Sequence, residues 1–226
     1  MLKIRNITKK FGSFSAVDNL NLEINQPGLY LLIGDNGSGK TTLLNMMAGF
    51  VRPCKGQISI NGSPDADYYR HQLGISTEPF STEPSLTVIE IAEIVQQIKR
   101  VPSAETHDFL KQWELWAVRE KTFKTLSTGM KKRLSLALSM LGKPDFYLWD
   151  EPFNGLDPLG IHLLNQIIKE LTVGQKTIFL STHLLNEIAV PFTSVFIMKE
   201  GKLTATVPGG SSENINGTIL NLLKTN

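Results

Sequence analysis

The chain has 226 residues, with 23 Lys+Arg against 21 Asp+Glu for a formal net charge of +2, and is 41% hydrophobic and 19% charged. That balance is ordinary for a globular chain, argues against disorder or a coiled coil, and is too close to neutral to mark a nucleic-acid surface. No stretch approaches the about 20 consecutive apolar residues of a spanning helix, so the chain is expected not to cross a membrane by itself. Residues 1–5 alternate like a strand and show no leader-like apolar core. The single cysteine, Cys54, is expected as a small buried side chain in a reducing compartment.

Leu2 and Ile4, then Leu20, Leu22 and Ile24, sit at alternate positions and predict strands with one buried face. Residues 29–33 form an unbroken apolar run ending in glycine, as a central strand buried on both faces does. A helix is predicted from Lys40 to about Ala48, stopped by Gly49 and Pro53. Ile58 and Ile60 lead into Asn61-Gly62, a hairpin signal. From Thr87 onward Val88, Ile91, Ala92, Val95 and Ile98 recur at helical spacing, and Phe109, Trp113, Trp116 and Ala117 predict a second helix beyond Pro102 and Ser103. These aromatics are expected in the core of a helical insertion between two α/β stretches. After Pro144, residues 146–149 run into two acids and residues 177–180 into Ser181, Thr182 and His183, with a helical face of Leu163, Leu164, Ile167, Ile168 and Leu171 between them. Strand, helix, strand in that order predicts a right-handed crossover in a parallel sheet. Residues 195–198 and Leu203, Ala205 and Val207 predict a closing hairpin, and a polar tail begins at Ser211.

Gly34-Asp35-Asn36-Gly37-Ser38-Gly39-Lys40-Thr41 matches the phosphate-binding loop, and it stands after a predicted strand and before a predicted helix, as that pattern requires. Its glycines let backbone N–H groups converge on one point, and the helix adds its positive end. Lys40 would reach the outer phosphates and the Thr41 hydroxyl would bind Mg²⁺. The bland alternative is a glycine turn with an exposed lysine. Asp150 and Glu151 close a predicted strand at the edge where α/β sheets bind ligands. There Asp150 suits Mg²⁺, and Glu151 suits taking a proton from an attacking water or orienting it. The alternative is an acidic helix start before Pro152.

Leu126-Ser127-Thr128-Gly129-Met130-Lys131-Lys132-Arg133, shortly ahead of these acids, resembles the signature sequence of the ATP-binding-cassette (ABC) ATPases. Asn154-Gly155-Leu156-Asp157 resembles the family's D-loop, Ser181-Thr182-His183 its switch-histidine segment, and Phe11, ahead of Gly12 and Ala16, the aromatic that stacks on adenine. The resemblance covers roughly residues 1 to 208. It implies an α/β fold of one ABC ATP-binding domain over 1–226: a P-loop NTPase core with a parallel sheet (about 1–80 and 143–208), an N-terminal antiparallel β subdomain, a helical subdomain (about 81–142) and a tail, 209–226. It implies ATP and Mg²⁺ as ligands. Phe11, Gly34, Asp35, Asn36, Gly37, Ser38, Gly39, Lys40, Thr41, Thr42, Glu78, Ser127, Gly129 and Asp157 would surround nucleotide, Thr41, Asp150 and Glu78 the metal, and Glu151, His183 and Lys40 would serve hydrolysis.

Several of these residues also have ordinary structural readings. Phe11 could simply end a strand, His183 start a helix, and Asp157 cap one with Pro158 at its first position. Lys131-Lys132-Arg133 reads as a solvated or phosphate-attracting face. Thr128 and Met130 stand where the family has glycine and glutamine, and Glu78 stands where it commonly has glutamine. Glutamate there, with the Ser-Thr-Gly-Met signature, is similar to exporter-type subunits of small bacterial efflux systems.

The resemblance further implies two subunits paired head to tail, a homodimer by expectation, with the signature of one closing over ATP on the loop of the other. An integral membrane permease subunit would be the partner, reached from the cytoplasmic face, with no nucleic acid involved. A soluble ABC-type switch acting on ribosomes, DNA or another assembly is the alternative, although residues 41–126 leave little room for the long insertions such proteins carry. A degenerate nucleotide-binding regulator is disfavoured by the presence of Lys40, Asp150, Glu151 and His183.

Overall fold

The computed structural model describes residues 1–210. Alternating apolar positions build the first two strands, β1 (Leu2–Phe11) and β2 (Phe14–Ile24), which pair antiparallel. After β3 (Gly28–Ile33) and α1 (Lys40–Met47), β4 (Lys55–Ile60) returns to the other side of β1. The result is a three-stranded antiparallel sheet, β2-β1-β4. Asn61-Gly62 does turn the chain, with Ile60 bridged to Ser63, but the hairpin expected there does not form. Pairing β4 with β1 buries Ile58 and Ile60, which a local hairpin could not do.

The chain then passes through α2 (Ala66–Arg70) into β5 (Leu73–Ser76) and a helical stretch containing α3 (Val88–Lys99), α4 (Ser103–Gln112) and α5 (Thr128–Met140). Helix α3 starts at a capping box: Thr87 N–H donates to Glu90 Oε2 at 2.7 Å and Glu90 N–H to Thr87 Oγ1 at 3.3 Å. Val88, Ile91 and Ala92 are buried as the periodicity predicts, whereas Ile98, near the C-terminal end of the helix, is exposed. The second predicted helix is shorter than expected. It ends at Gln112, because Glu114 takes a left-handed conformation (φ 57) and Trp116 falls in a separate 3₁₀ turn. Trp113 nonetheless has no exposed surface, and burying a side chain of that size contributes about 2–3 kcal/mol.

Strands resume with β6 (Phe146–Asp150), followed by α6 (Pro158–Val173), β7 (Thr177–Ser181), β8 (Phe192–Lys199) and β9 (Lys202–Gly210). They complete a six-stranded sheet in the order β5-β6-β7-β3-β8-β9, parallel except for β9, which closes antiparallel on β8. The continuous apolar runs are explained by burial on both faces. In β3, Leu29, Leu31 and Ile33 join the core beneath α3 to α6, while Tyr30 and Leu32 join the core shared with α1 and the antiparallel sheet. Tyr147 and Trp149 of β6 divide from Phe146 and Leu148 in the same way.

Cys54 is exposed, not buried, because it lies just before β4 at the rim of the small sheet. Among the described residues no helix is long and apolar enough to cross a membrane. The tail expected over 209–226 lies, beyond residue 210, outside the described residues.

Candidate nucleotide site

The sheet register gathers the predicted residues. Leu32 of β3 is level with Ser181 of β7, Ser181 with Asp150 of β6, and Trp149 with Ser76 of β5. The loop from Gly34, the pair Asp150-Glu151, His183 and Glu78 therefore all leave the sheet at one carboxyl edge, where open α/β sheets bind ligands.

The phosphate loop is packed too tightly for other residues. A Cβ on Gly34 would lie 2.1 Å from the Met198 carbonyl, and one on Gly39 (φ +101) 2.2 Å from that of Ala16. Gly39 begins α1 without a side-chain cap, so the first-turn N–H groups are left for a ligand. Lys40 is buried, and its ammonium is held by the loop's own carbonyls, Gly34 O at 2.7 Å and Asp35 O at 3.1 Å. Ser38 Oγ is buried without a partner. Asp35, Asn36, Gly37 and Thr41 are exposed and Thr42 half-buried. A lysine aimed inward, an orphaned hydroxyl and an uncapped helix start fit a bound polyphosphate.

Asp150 is 3% exposed and ends β6. The next residue, Glu151, adopts a left-handed backbone (φ 46), uncommon for a residue with a side chain. The turn is held by Ser181, whose hydroxyl donates to Asp150 Oδ1 and accepts from Glu151 N–H at 3.0 Å. Glu151 Oε2 lies 2.9 Å from Nδ1 of half-exposed His183. Ser181 is the residue of this edge that sequence reasoning left without a role of its own, although its hydroxyl joins the two acids. The available signal was its place as the last residue of a buried strand beside the one carrying the acids.

Ser127, Gly129 and Asp157 form a second group. Ser127 caps α5 by accepting from Met130 N–H at 3.2 Å, and a Cβ on Gly129 would come 2.8 Å from Gly155 O, so the signature and D-loop segments are in close contact. Asp157 caps α6, accepting from Gly160 N–H at 3.0 Å and from Arg133 Nη2 at 2.5 Å. Arg133, through this hydrogen bond first, holds the Asp157 carboxyl below its usual value. Among the described residues no hydrogen bond or ion pair joins this group to the phosphate loop. Phe11 is exposed at the end of β1, paired with Phe14, with Lys9 Nζ 5.1 Å above its ring.

Lys131, Lys132 and Arg133 do not form the one solvated or phosphate-attracting face expected of them. Only Lys131 fits a surface role, lying 4.9 Å over the Phe123 ring. Lys132 and Arg133 point inward, with side chains 4% and 10% exposed, and form ion pairs with Glu78 and with Glu114 and Asp157. Buried cations of this kind need such partners.

Residues 17–154 match the family model described as ABC transporter. The lantibiotic transport ATP-binding protein SrtF of Streptococcus pyogenes is 31% identical over 215 residues, 95% of this chain and 94% of that protein. The bacitracin transport ATP-binding protein BcrA of Bacillus licheniformis is 34% identical over 92% of this chain and 70% of its own length. A dimeric ATP-binding cassette in a post-hydrolysis state, bound to ADP and Pi, superposes with a TM-score of 0.81 at 26% identity, over 92% of this chain and 98% of that one. An ATP-binding subunit of an ABC transporter gives 0.82 at 26% identity, over 100% and 95%. The chain belongs to the ABC transporter family, as one of its ATP-binding, ATP-hydrolysing subunits.

Proposed function

We propose that the chain binds Mg²⁺-ATP at the carboxyl edge of its parallel sheet and hydrolyses it to ADP and phosphate to drive a separate membrane permease. The observation carrying this reading is the Ser181-bridged pair Asp150-Glu151, with His183 on Glu151, beside a loop whose lysine is held ready by its own carbonyls.

Lys40 exchanges the carbonyls of Gly34 and Asp35 for phosphate oxygens, at no cost in burial. Ser38 Oγ and the N–H groups at the start of α1 supply further donors. Thr41 and Asp150 would hold Mg²⁺, with Glu78 beside them, and the ion, when bound, neutralises charge on the outer phosphates. Among the described residues no cluster of three or more His, Cys, Asp or Glu side chains forms a cage, in keeping with a cation that shares its coordination with substrate phosphates. Glu151 takes the proton of the attacking water or orients it, and His183 fixes the Glu151 carboxylate. Phe11, exposed at the hairpin end, would stack on adenine.

The signature group at Ser127 and Gly129 would close over nucleotide held by a second copy, so that two chains pair head to tail with ATP between them, and Asp157 lies at the junction. Hydrolysis then loosens the pair. The helical subdomain, about 81–142, would carry the contact with the permease near residues 78–86, and the chain would work at the cytoplasmic face of the membrane. Export is favoured by the relatives, whose names describe lantibiotic and bacitracin transport and, in Cupriavidus metallidurans, Nod factor export. The test is affinity purification from detergent-solubilised native membranes: an integral membrane subunit should co-purify in stoichiometric amount. Recovery with ribosomes instead would overturn the transport reading.

A further inference from the structure

Helix α5 lies along β5 in matched steps. A Cβ on Gly74 would come 2.5 Å from Ser139 O, and two residues on, Ser76 Oγ meets Ser135 Oγ at 2.8 Å in a buried contact. The next step pairs Lys132 with Glu78. Two strand residues and four helix residues each advance about 6–7 Å, and the ion pair continues this contact about one helix turn further on, where the chain has left β5. The Lys132 side chain is 4% exposed against 39% for Glu78, and its ammonium also stands 3.4 Å from the backbone oxygen of Asp150. One cation thus touches both the loop carboxylate after β5 and the strand end that carries Asp150.

We propose that Lys132 is a positioning residue for nucleotide hydrolysis: as the counter-charge of Glu78, it sets the net charge that the loop after β5 presents to the metal-bound triphosphate. The proposal rests on the reading of the Asp150 edge as the Mg²⁺ side of the site. With both residues present the pair is neutral. Removing Lys132 leaves a free carboxylate facing the cation, and removing Glu78 leaves a buried ammonium that repels it. The two losses therefore act in opposite directions on Mg²⁺ and cancel in the double variant. A pair that only holds α5 to β5 would instead lower stability in both variants and shift Mg²⁺ dependence in neither.

The experiment measures, for full-length protein, the Mg²⁺ concentration that half-saturates binding of a fluorescent non-hydrolysable ATP analogue, alongside the nucleotide-free Tm. Lys132→Gln is expected to lower that concentration and Glu78→Gln to raise it, each by about threefold or more, the scale of one unit charge acting through a high effective dielectric. The double variant should return to within about twofold of wild type, and Lys132→Arg should keep the wild-type value. If Lys132→Gln does not fold, Lys132→Met, which keeps the length of the buried side chain without its charge, takes its place with the same expected fall in the Mg²⁺ requirement. Unshifted values, single variants shifting the same way, or a double variant that keeps the Glu78→Gln value would overturn it. Wild-type binding that ignores Mg²⁺ altogether would instead overturn the underlying reading of the metal side.

Discussion

His183 Nδ1 lies 2.9 Å from Glu151 Oε2, joining the turn after β6 to the turn after β7. Neighbouring parallel strands thus bring together a carboxylate and an imidazole from residues 32 positions apart. The Glu151 side chain is only 12% exposed, so its carboxylate has few other positions to take.

His183→Ala removes that contact without touching the phosphate loop. The expected result is a fall in kcat of about 10²-fold or more, the usual contribution of a positioned acid-base group, with ATP affinity within about threefold of wild type because the loop is intact. Steady-state ATPase assays and equilibrium binding of a fluorescent nucleotide separate the two quantities. An unchanged kcat would remove His183 from hydrolysis.

Ser181 carries more than its unremarkable sequence signal suggests. Its hydroxyl is fully buried and bridges Asp150 Oδ1 to Glu151 N–H, holding the left-handed turn between the two acids. Ser181→Ala leaves both groups without that partner, which should cost about 1–3 kcal/mol in urea unfolding and lower kcat by about tenfold or more as Glu151 loses its anchor. Full stability in Ser181→Ala would show that the bridge is dispensable.

The central strand, the phosphate loop and the acid pair were legible because each is local. An unbroken apolar run such as 29–33 has one explanation, burial on both faces, and glycines at fixed spacing before Lys40 have a backbone reason visible in the chain itself. Lys132 and Arg133 do not form the solvated or phosphate-attracting face that their run of charge suggests, because their partners, Glu78, Glu114 and Asp157, are brought in only by packing of α5. The same limit explains Asn61-Gly62: the turn is local, but the choice of β1 as partner for β4 is a tertiary one. Trp113 is buried at the C-terminal cap of the predicted helix, whereas Trp116 falls in a separate turn, since the left-handed Glu114 that ends α4 carries no glycine to announce it.

Asp157 should make stability pH-dependent on the acid side. Arg133, then Gly160 N–H, holds its folded-state value below the ordinary 3.8. A lowered folded value means the contribution is complete above the unfolded value and is lost as pH falls through the folded one. Asp157→Asn keeps a competent helix cap but no charge. Thermal melts should show wild type above Asp157→Asn at about pH 7, with the difference shrinking as pH falls below the ordinary 3.8. A difference independent of pH would mean that the Arg133 pair adds nothing beyond the cap.

In the proposed mechanism Glu151 drives hydrolysis at a site whose filling by ATP joins two chains. Glu151→Gln tests both halves in a single sample, because it keeps the hydrogen-bonding shape of the side chain while removing the base. With Mg²⁺-ATP, the variant should bind nucleotide normally, lose about 10²-fold or more of its turnover, and elute as a dimer by size-exclusion chromatography with light scattering. Undiminished hydrolysis would remove Glu151 as the base, and a monomer at saturating ATP would rule out pairing through nucleotide.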